Sequence, residues 1–225
     1  LKKQNKAIVA VSTVILFILI FDQVLKIWVK SSFHYTDPEI PLLGDWFVLN
    51  YVENQGMAFG TTLGAGAWAK LALSLFRVAA IGAIVYYLIK QIKANASLEF
   101  IIVVGLVLAG ATGNLIDSMV YDFIFEFDPC LSFNHLEGSG NMGECEYFEG
   151  YVETVELRNT GFLYGNVVDM FQFRATWPSW VPWLGGSEVF PAIWNVADAA
   201  ISVGIVMVLF RQKKYFPKDV KEKTE

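Results

Sequence analysis

The sequence predicts an all-α membrane protein: four transmembrane helices, a small extracytoplasmic β-rich cradle and an interfacial segment. Three observations lead there. Of the 225 residues 55% are hydrophobic, and mean hydropathy is +0.45, too apolar for an ordinary soluble domain. Four stretches reach the roughly 20 apolar residues that a helix needs to cross a bilayer core. Lysines and arginines gather at alternate ends of those stretches, as cytoplasmic loops do.

The first span runs from Ala7 to Trp28 behind Lys2, Lys3 and Lys6. It resembles a signal peptide, but FDQVLKIW stands where a small-residue cleavage site belongs, so it reads as a retained helix. The outer connection from Lys30 to Ala67 follows. Its stretch Trp46 to Val52, rich in aromatic and branched residues between Gly44 and Gly56, reads as a short strand. The second span covers Trp68 to Ile89 and the third Leu98 to Met119, with Lys90 and Lys93 between them. The fourth covers Pro191 to Phe210 ahead of a basic tail. Both termini are therefore expected in the cytoplasm, and the connections after spans one and three outside. The chain reads as one membrane-embedded domain, 1–225, with an extracytoplasmic insertion over 121–166.

The long outer connection, Tyr121 to Phe190, has three parts. Its Gly-, Ser- and Asn-rich middle, CLSFNHLEGSGNMGEC, reads as a surface excursion. Tyr151 to Leu157 alternates weakly, as a hairpin arm would. TWPSWVPWL sets Trp177, Trp180 and Trp183 among prolines, and indoles favour the headgroup region. The connection holds many carboxylates against only Arg158 and Arg174, so the net charge of −5 belongs to the outer face. Cys130 and Cys145 both fall in it. An extracytoplasmic pair with a short loop between favours a disulfide over two free thiols, and without a CxxC a redox or zinc role has little support. His34 and His135 have no metal-ligand spacing and read as solvated loop residues.

Polar residues within the spans cluster at one depth. Asp22 lies in the outer third of the first span, Asn114 and Asp117 end the third, and Asn195 and Asp198 open the fourth. Each asparagine–aspartate pair is spaced i, i+3 and would share a helix face. Asp22 and Lys26, at i, i+4, can pair. Asp169 approaches from the loop side. Several of these have plain structural readings: Asp22–Lys26 as a helix-end ion pair, Asn114 as an interhelical hydrogen bond, Asp117 as a partner of Asn195 or of a backbone group. Arg77, inside the second span, reads as snorkelling outward. Asp169 and Asp198 are harder to explain structurally, because carboxylates at the lip of a hydrocarbon core are costly.

Two neighbouring carboxyls do not ionise together readily, so one keeps a proton while the other stays charged. The charged one can take a proton from water attacking a carbonyl; the protonated one can polarise that carbonyl and help the amine leave. That is aspartyl peptidase chemistry. GxSxG, Ser–His pairing, HExxH and Gly-rich phosphate loops are absent from the sequence. A proton-coupled transporter is the rival from another class, but transport favours polar groups at the midplane and inner side. An inactive membrane scaffold is the other.

DQVLK (Asp22–Lys26), NQGMAFG (Asn54–Gly60), GNLID (Gly113–Asp117), VVDM (Val167–Met170) and WNVADAAISVG (Trp194–Gly204) occur together in this order. On these motifs the chain resembles the lipoprotein signal peptidase (signal peptidase II) family, over all four spans and both outer connections. The resemblance implies a bacterial inner-membrane aspartyl endopeptidase that cuts prolipoproteins before a diacylglyceryl-modified cysteine. It implies Asp169 and Asp198 as the catalytic dyad. Asp22, Lys26, Asn54, Asn114, Asp117 and Asn195 would be supporting or substrate-contacting residues, and Gly56 would help a loop close over substrate. It implies no metal or organic cofactor. The expected partners are lipidated prolipoproteins and the bilayer, not nucleic acid, with the enzyme a monomer. Three departures stand out: Ser118 where the family has arginine, Met170 and Trp194 where phenylalanine is usual, and the long stretch between Asp117 and Asp169. For the missing cation, Arg174 or Arg158 is the expected substitute.

Overall fold

Helices α1 (Lys2–Ser32), α2 (Ala67–Lys93) and α3 (Leu98–Ile124) are each long and apolar enough to cross a membrane. The computed structural model describes residues 1–34, 37–55, 67–148 and 150–216. α1 contains neither glycine nor proline, so nothing interrupts its backbone ladder. α2 ends on Lys90 and Lys93, cations that complement a helix C-terminus, and Asn95 just beyond has the left-handed φ of 54° common past a helix end. Ser97 then caps α3, its hydroxyl accepting from the Phe100 amide at 3.3 Å. α3 runs past the expected Met119 to Ile124. It is also the most buried of the three: 61% of its most apolar window is covered, against 11% for α1 and α2.

The fourth apolar stretch departs from expectation. Its helix, α4 (Val196–Phe210), has 15 residues and starts after Asn195 rather than at Pro191. At 1.5 Å per residue it is about 22 Å long. Ile193 and Trp194 instead form strand β6, because they pair with Gln172 and Phe171. A short helix, α5 (Gln212–Tyr215), follows.

The chain divides into two compact units, and the division falls inside α1, α2 and α3. One unit comprises 1–21, 80–112 and 196–225. Its core packs Ala7 and Val11 of α1 with Leu88 of α2 and Phe100, Ile101, Val104 and Leu108 of α3. α4 comes so close to α3 that a Cβ at Gly110 would overlap the Ala197 carbonyl oxygen. Outward-facing Phe17, Tyr86, Leu209 and Phe210 are of the kind that face lipid. At the basic end Glu99 accepts from Lys214 and from the Tyr215 hydroxyl, the latter at 2.8 Å.

The other unit comprises 22–79 and 113–195. It holds an antiparallel sheet of β1 (Ile40–Leu43), β2 (Phe47–Asn54), β5 (Val167–Phe173) and β6 (Ile193–Trp194), in that order. β2 is the strand expected over Trp46–Val52. β5 carries Asp169, which was expected on a loop; the register sets it opposite Val52. Phe47, Phe171, Phe173 and Trp194 stack on this sheet with ring centroids 5.1–6.1 Å apart. Val29 and Tyr121 pack with Leu49, Val168 and Met170 to join helices to sheet.

The insertion holds regular structure of its own. β3 (Asn141–Phe148) and β4 (Tyr151–Leu157) form a hairpin, and β3 takes in the last five residues of the Gly-rich tract. Cys130 and Cys145 are disulfide-bonded, with Cα atoms 5.0 Å apart. Glu156 accepts from the Gly138 and Gly140 amides at 2.8 and 2.7 Å, and these bonds hold its carboxyl below the usual range. Trp180 and Trp183 stand 79% and 100% exposed. His34 is exposed, whereas His135 is half-buried with its ring nitrogen 2.8 Å from the Pro129 carbonyl.

Candidate active site

Lys26 anchors the polar network. Its Nζ lies 3.0 Å from Asp22 Oδ2, 2.8 Å from Asp117 Oδ2 and 2.9 Å from Asn114 Oδ1. All four side chains are buried. The i, i+4 spacing stacks Asp22 over Lys26 on α1, and the i, i+3 spacing presents Asn114 and Asp117 together from α3. One cation between two carboxylates answers charges that would be prohibitive alone in an apolar interior. Gln23, which sequence reading did not single out, donates to Asp117 Oδ1 at 2.9 Å and accepts from the Tyr121 hydroxyl at 3.2 Å.

From Asn114 the network continues to β5. The Asn195 amide donates to Asn114 Oδ1 at 3.1 Å, to the Val168 carbonyl at 3.2 Å and to Asp169 Oδ1 at 2.6 Å. Asn54, ending β2, donates to the other oxygen, Asp169 Oδ2. Asp117 Oδ2 accepts from the Val168 amide at 3.4 Å. β5 approaches α3 tightly: Gly165 N donates to the Ser118 carbonyl at 3.0 Å, and a Cβ on Gly165 would overlap the Asp117 carbonyl oxygen. The structure thus joins Asp22, Lys26, Asn54, Asn114, Asp117, Asp169 and Asn195 through hydrogen bonds and ion pairs.

A second cluster braces β2 beside Asn54. Glu53, 4% exposed, accepts from Lys30 and from the Tyr51 hydroxyl. Burial pushes the Tyr51 phenol well above its ordinary value, and the Glu53 charge pushes it further. Lys30 also lies 5.1 Å from the Phe125 ring centre.

Asp198 belongs to the other compact unit. It is half-buried in the first turn of α4, where the helix dipole favours a negative charge. Asn195 does not share a helix face with it, because it precedes α4 and its side chain turns to Asn114, Val168 and Asp169. Gly56 lies outside the described residues.

Among the described residues neither arginine expected to replace the cation at position 118 is hydrogen-bonded to the Ser118 side chain. Arg174 pairs with Glu39. Arg158 binds both oxygens of Asp122, at 2.8 and 3.0 Å, and Asn134 Oδ1 at 2.7 Å, so it ties the insertion to the end of α3. The cation beside Ser118 comes from α2: Lys70 Nζ lies 3.1 Å from Ser118 Oγ. Lys70 stands 48 positions before Ser118, a pairing that no local spacing announces.

Helices long and apolar enough to span a membrane, packed with a buried ion cluster and a carboxylate-bearing sheet, mark an integral membrane protein with a candidate active site. Two solved bacterial membrane enzymes share the fold. One aligns with a TM-score of 0.57 at 18% identity, over 96% of this chain and 94% of its own. The other aligns with a TM-score of 0.54 at 19% identity, over 91% and 93%. The family model described as signal peptidase (SPase) II matches residues 14–213, and the chain belongs to that family of aspartic endopeptidases. The lipoprotein signal peptidase of Porphyromonas gingivalis is 38% identical over 205 residues, which are 88% of this chain and 80% of that protein. That of Amoebophilus asiaticus is 31% identical over 205 residues, 88% of this chain and 75% of its own. Membership implies prolipoprotein substrates and a bacterial inner-membrane setting.

Proposed function

We propose that this enzyme cuts diacylglyceryl-modified prolipoproteins before the lipidated cysteine, with Asp169 and Asp198 as its catalytic pair. The observation that carries the reading is the setting of Asp169. It is 5% exposed on β5, with one oxygen bound by Asn195 and the other by Asn54. Two amides orient the carboxylate, and the Lys26 cluster holds Asn114, which holds Asn195. Such a layered support is what a reacting group needs. Asp198 is the partner the family resemblance implies, and its place in a helix first turn suits a carboxylate.

In this reading one aspartate takes a proton from water as the water attacks the scissile carbonyl. The other, protonated, polarises that carbonyl and then gives its proton to the leaving amine. Asp22, Lys26, Asn54, Asn114, Asp117 and Asn195 support the pair or contact substrate, and Gly56 serves loop closure. α4 completes a fourth crossing. Both termini face the cytoplasm, the aspartates work at the outer face and the tryptophan segment lies along the membrane surface. One domain, interrupted by the 121–166 insertion, acts as a monomer.

The test is cleavage of a synthetic lipidated prolipoprotein by purified enzyme. Asp169→Asn and Asp198→Asn should each abolish product while keeping the melting temperature near that of the parent. Normal cleavage by either variant would refute the pair.

A further inference from the structure

α2 opens with a polar stripe. Lys70, Ser74 and Arg77, at i, i+4 and i+7, share one face of an otherwise apolar helix. Ser74 is fully buried and donates to the Leu163 carbonyl at 2.7 Å. Lys70, only 5% exposed, donates to the Gln55 carbonyl at 2.9 Å and to Ser118 Oγ at 3.1 Å. Both acceptors are neutral. Among the described residues no carboxylate forms an ion pair with Lys70, in contrast to Lys26 with its two aspartates. An ammonium has three donors, and burying it without a counter-charge is costly. A lysine held so in a helix long enough to span a membrane is a candidate for function rather than for support.

Its surroundings agree. Lys70 lines a narrow crevice with Gln55, Leu136, Arg158, Asn159 and Tyr164. The Arg158 charge is already answered by Asp122. Asn159 accepts from Asn141 through Oδ1 at 2.6 Å, but its Nδ2 is buried with no hydrogen-bond partner among the described residues. The crevice therefore holds two donors in want of an acceptor, the Lys70 amine with its third hydrogen and Asn159 Nδ2. It also adjoins the candidate site along the chain. Ser118 follows Asp117, and the stretch that Ser74 holds at Leu163 leads through Gly165 into β5 and Asp169.

We propose that Lys70, with Asn159, binds a carbonyl or carboxylate oxygen of the prolipoprotein peptide and so positions the substrate. The inference rests on the peptidase reading above. Lys70 belongs to substrate binding, whereas Lys26 belongs to the internal support.

The test measures kcat and KM separately on a synthetic lipidated prolipoprotein, using the full chain in detergent. Lys70→Met should raise KM about tenfold or more, as expected for losing a charged hydrogen bond, with kcat little changed. Lys70→Arg should restore most of the affinity. Asn159→Leu should raise KM by a smaller factor. A purely structural lysine would instead lower the melting temperature and kcat, and arginine would not recover KM. If Lys70→Met does not fold, Asn159→Leu and Lys70→Arg carry the test. A folded Lys70→Met at wild-type KM overturns the proposal, as does wild-type KM in Asn159→Leu together with a folded but unrescued Lys70→Arg. Failure of the parent enzyme to cut the substrate would instead overturn the peptidase reading.

Discussion

Asn195 lies 26 residues from Asp169 in sequence, and its amide nitrogen sits 2.6 Å from the Asp169 carboxylate. The same nitrogen reaches Asn114 Oδ1 on α3 and the Val168 carbonyl on β5. One side chain thus links helix, strand and carboxylate. Its position immediately before α4 keeps it out of the helix and free to turn toward β5.

Asn195→Leu is expected to lower kcat/KM by about tenfold to a hundredfold, since a hydrogen bond to a charged group is worth about 1.5–3 kcal/mol. Steady-state cleavage of a lipidated prolipoprotein checks it. Parent-like rates would show that the bond to Asp169 has no part in the reaction.

Lys26→Met is expected to unfold much of the protein. It leaves Asp22 and Asp117 buried without their cation, a loss of about 3–5 kcal/mol. Thermal unfolding in detergent reports it. Lys26→Met combined with Asp117→Asn should recover part of the stability, because fewer charges then remain unanswered.

Arg158 and Asp122 form a second buried pair, with side chains 6% and 7% exposed. Arg158→Ala should expose the 128–160 region to limited proteolysis, as should Asp122→Ala. The double variant should lose less than the sum of the two, and a double-mutant cycle on melting temperature measures the coupling. Strict additivity would mean that the pair does not hold the insertion.

Glu156 provides a pH dependence. Its folded carboxyl titrates below the usual range because the Gly138 and Gly140 amides bind its charged form. The turn is therefore stabilised above the ordinary carboxylate range and loses that support as pH falls through and below it. Amide exchange of a peptide spanning 136–142, corrected for intrinsic rates, should quicken toward acid in the parent. In Glu156→Gln it should show little further acceleration.

Much of the fold was legible because hydrocarbon thickness imposes long apolar runs, and α1, α2 and α3 have them. Asp22–Lys26 was legible because helical spacing alone makes the pair. β5 was not. Its VVDMFQF has both faces covered, so the alternation that betrays a half-exposed strand is absent. The start of α4 was misplaced because Ile193 and Trp194 are as apolar as the helix they precede, and only pairing with β5 reveals them as strand. Of the site, the charged residues at one depth were visible, but their supports were not. Gln23 and Lys70 act on partners 94 and 48 positions away, and nothing local marks such long-range pairs.

Asn54 and Asp169, which share a hydrogen bond, stand 115 positions apart, with α2, α3 and the hairpin between them. During synthesis Asn54 must wait for all of that chain before its partner exists, and Asp169 must then wait for Asn195. The carboxylate's setting therefore cannot form until Asn195 has been made. A growing chain that stops short of Asn195 carries α1, α2 and α3 but not the assembled carboxylate, and so lacks the means to act on its neighbours.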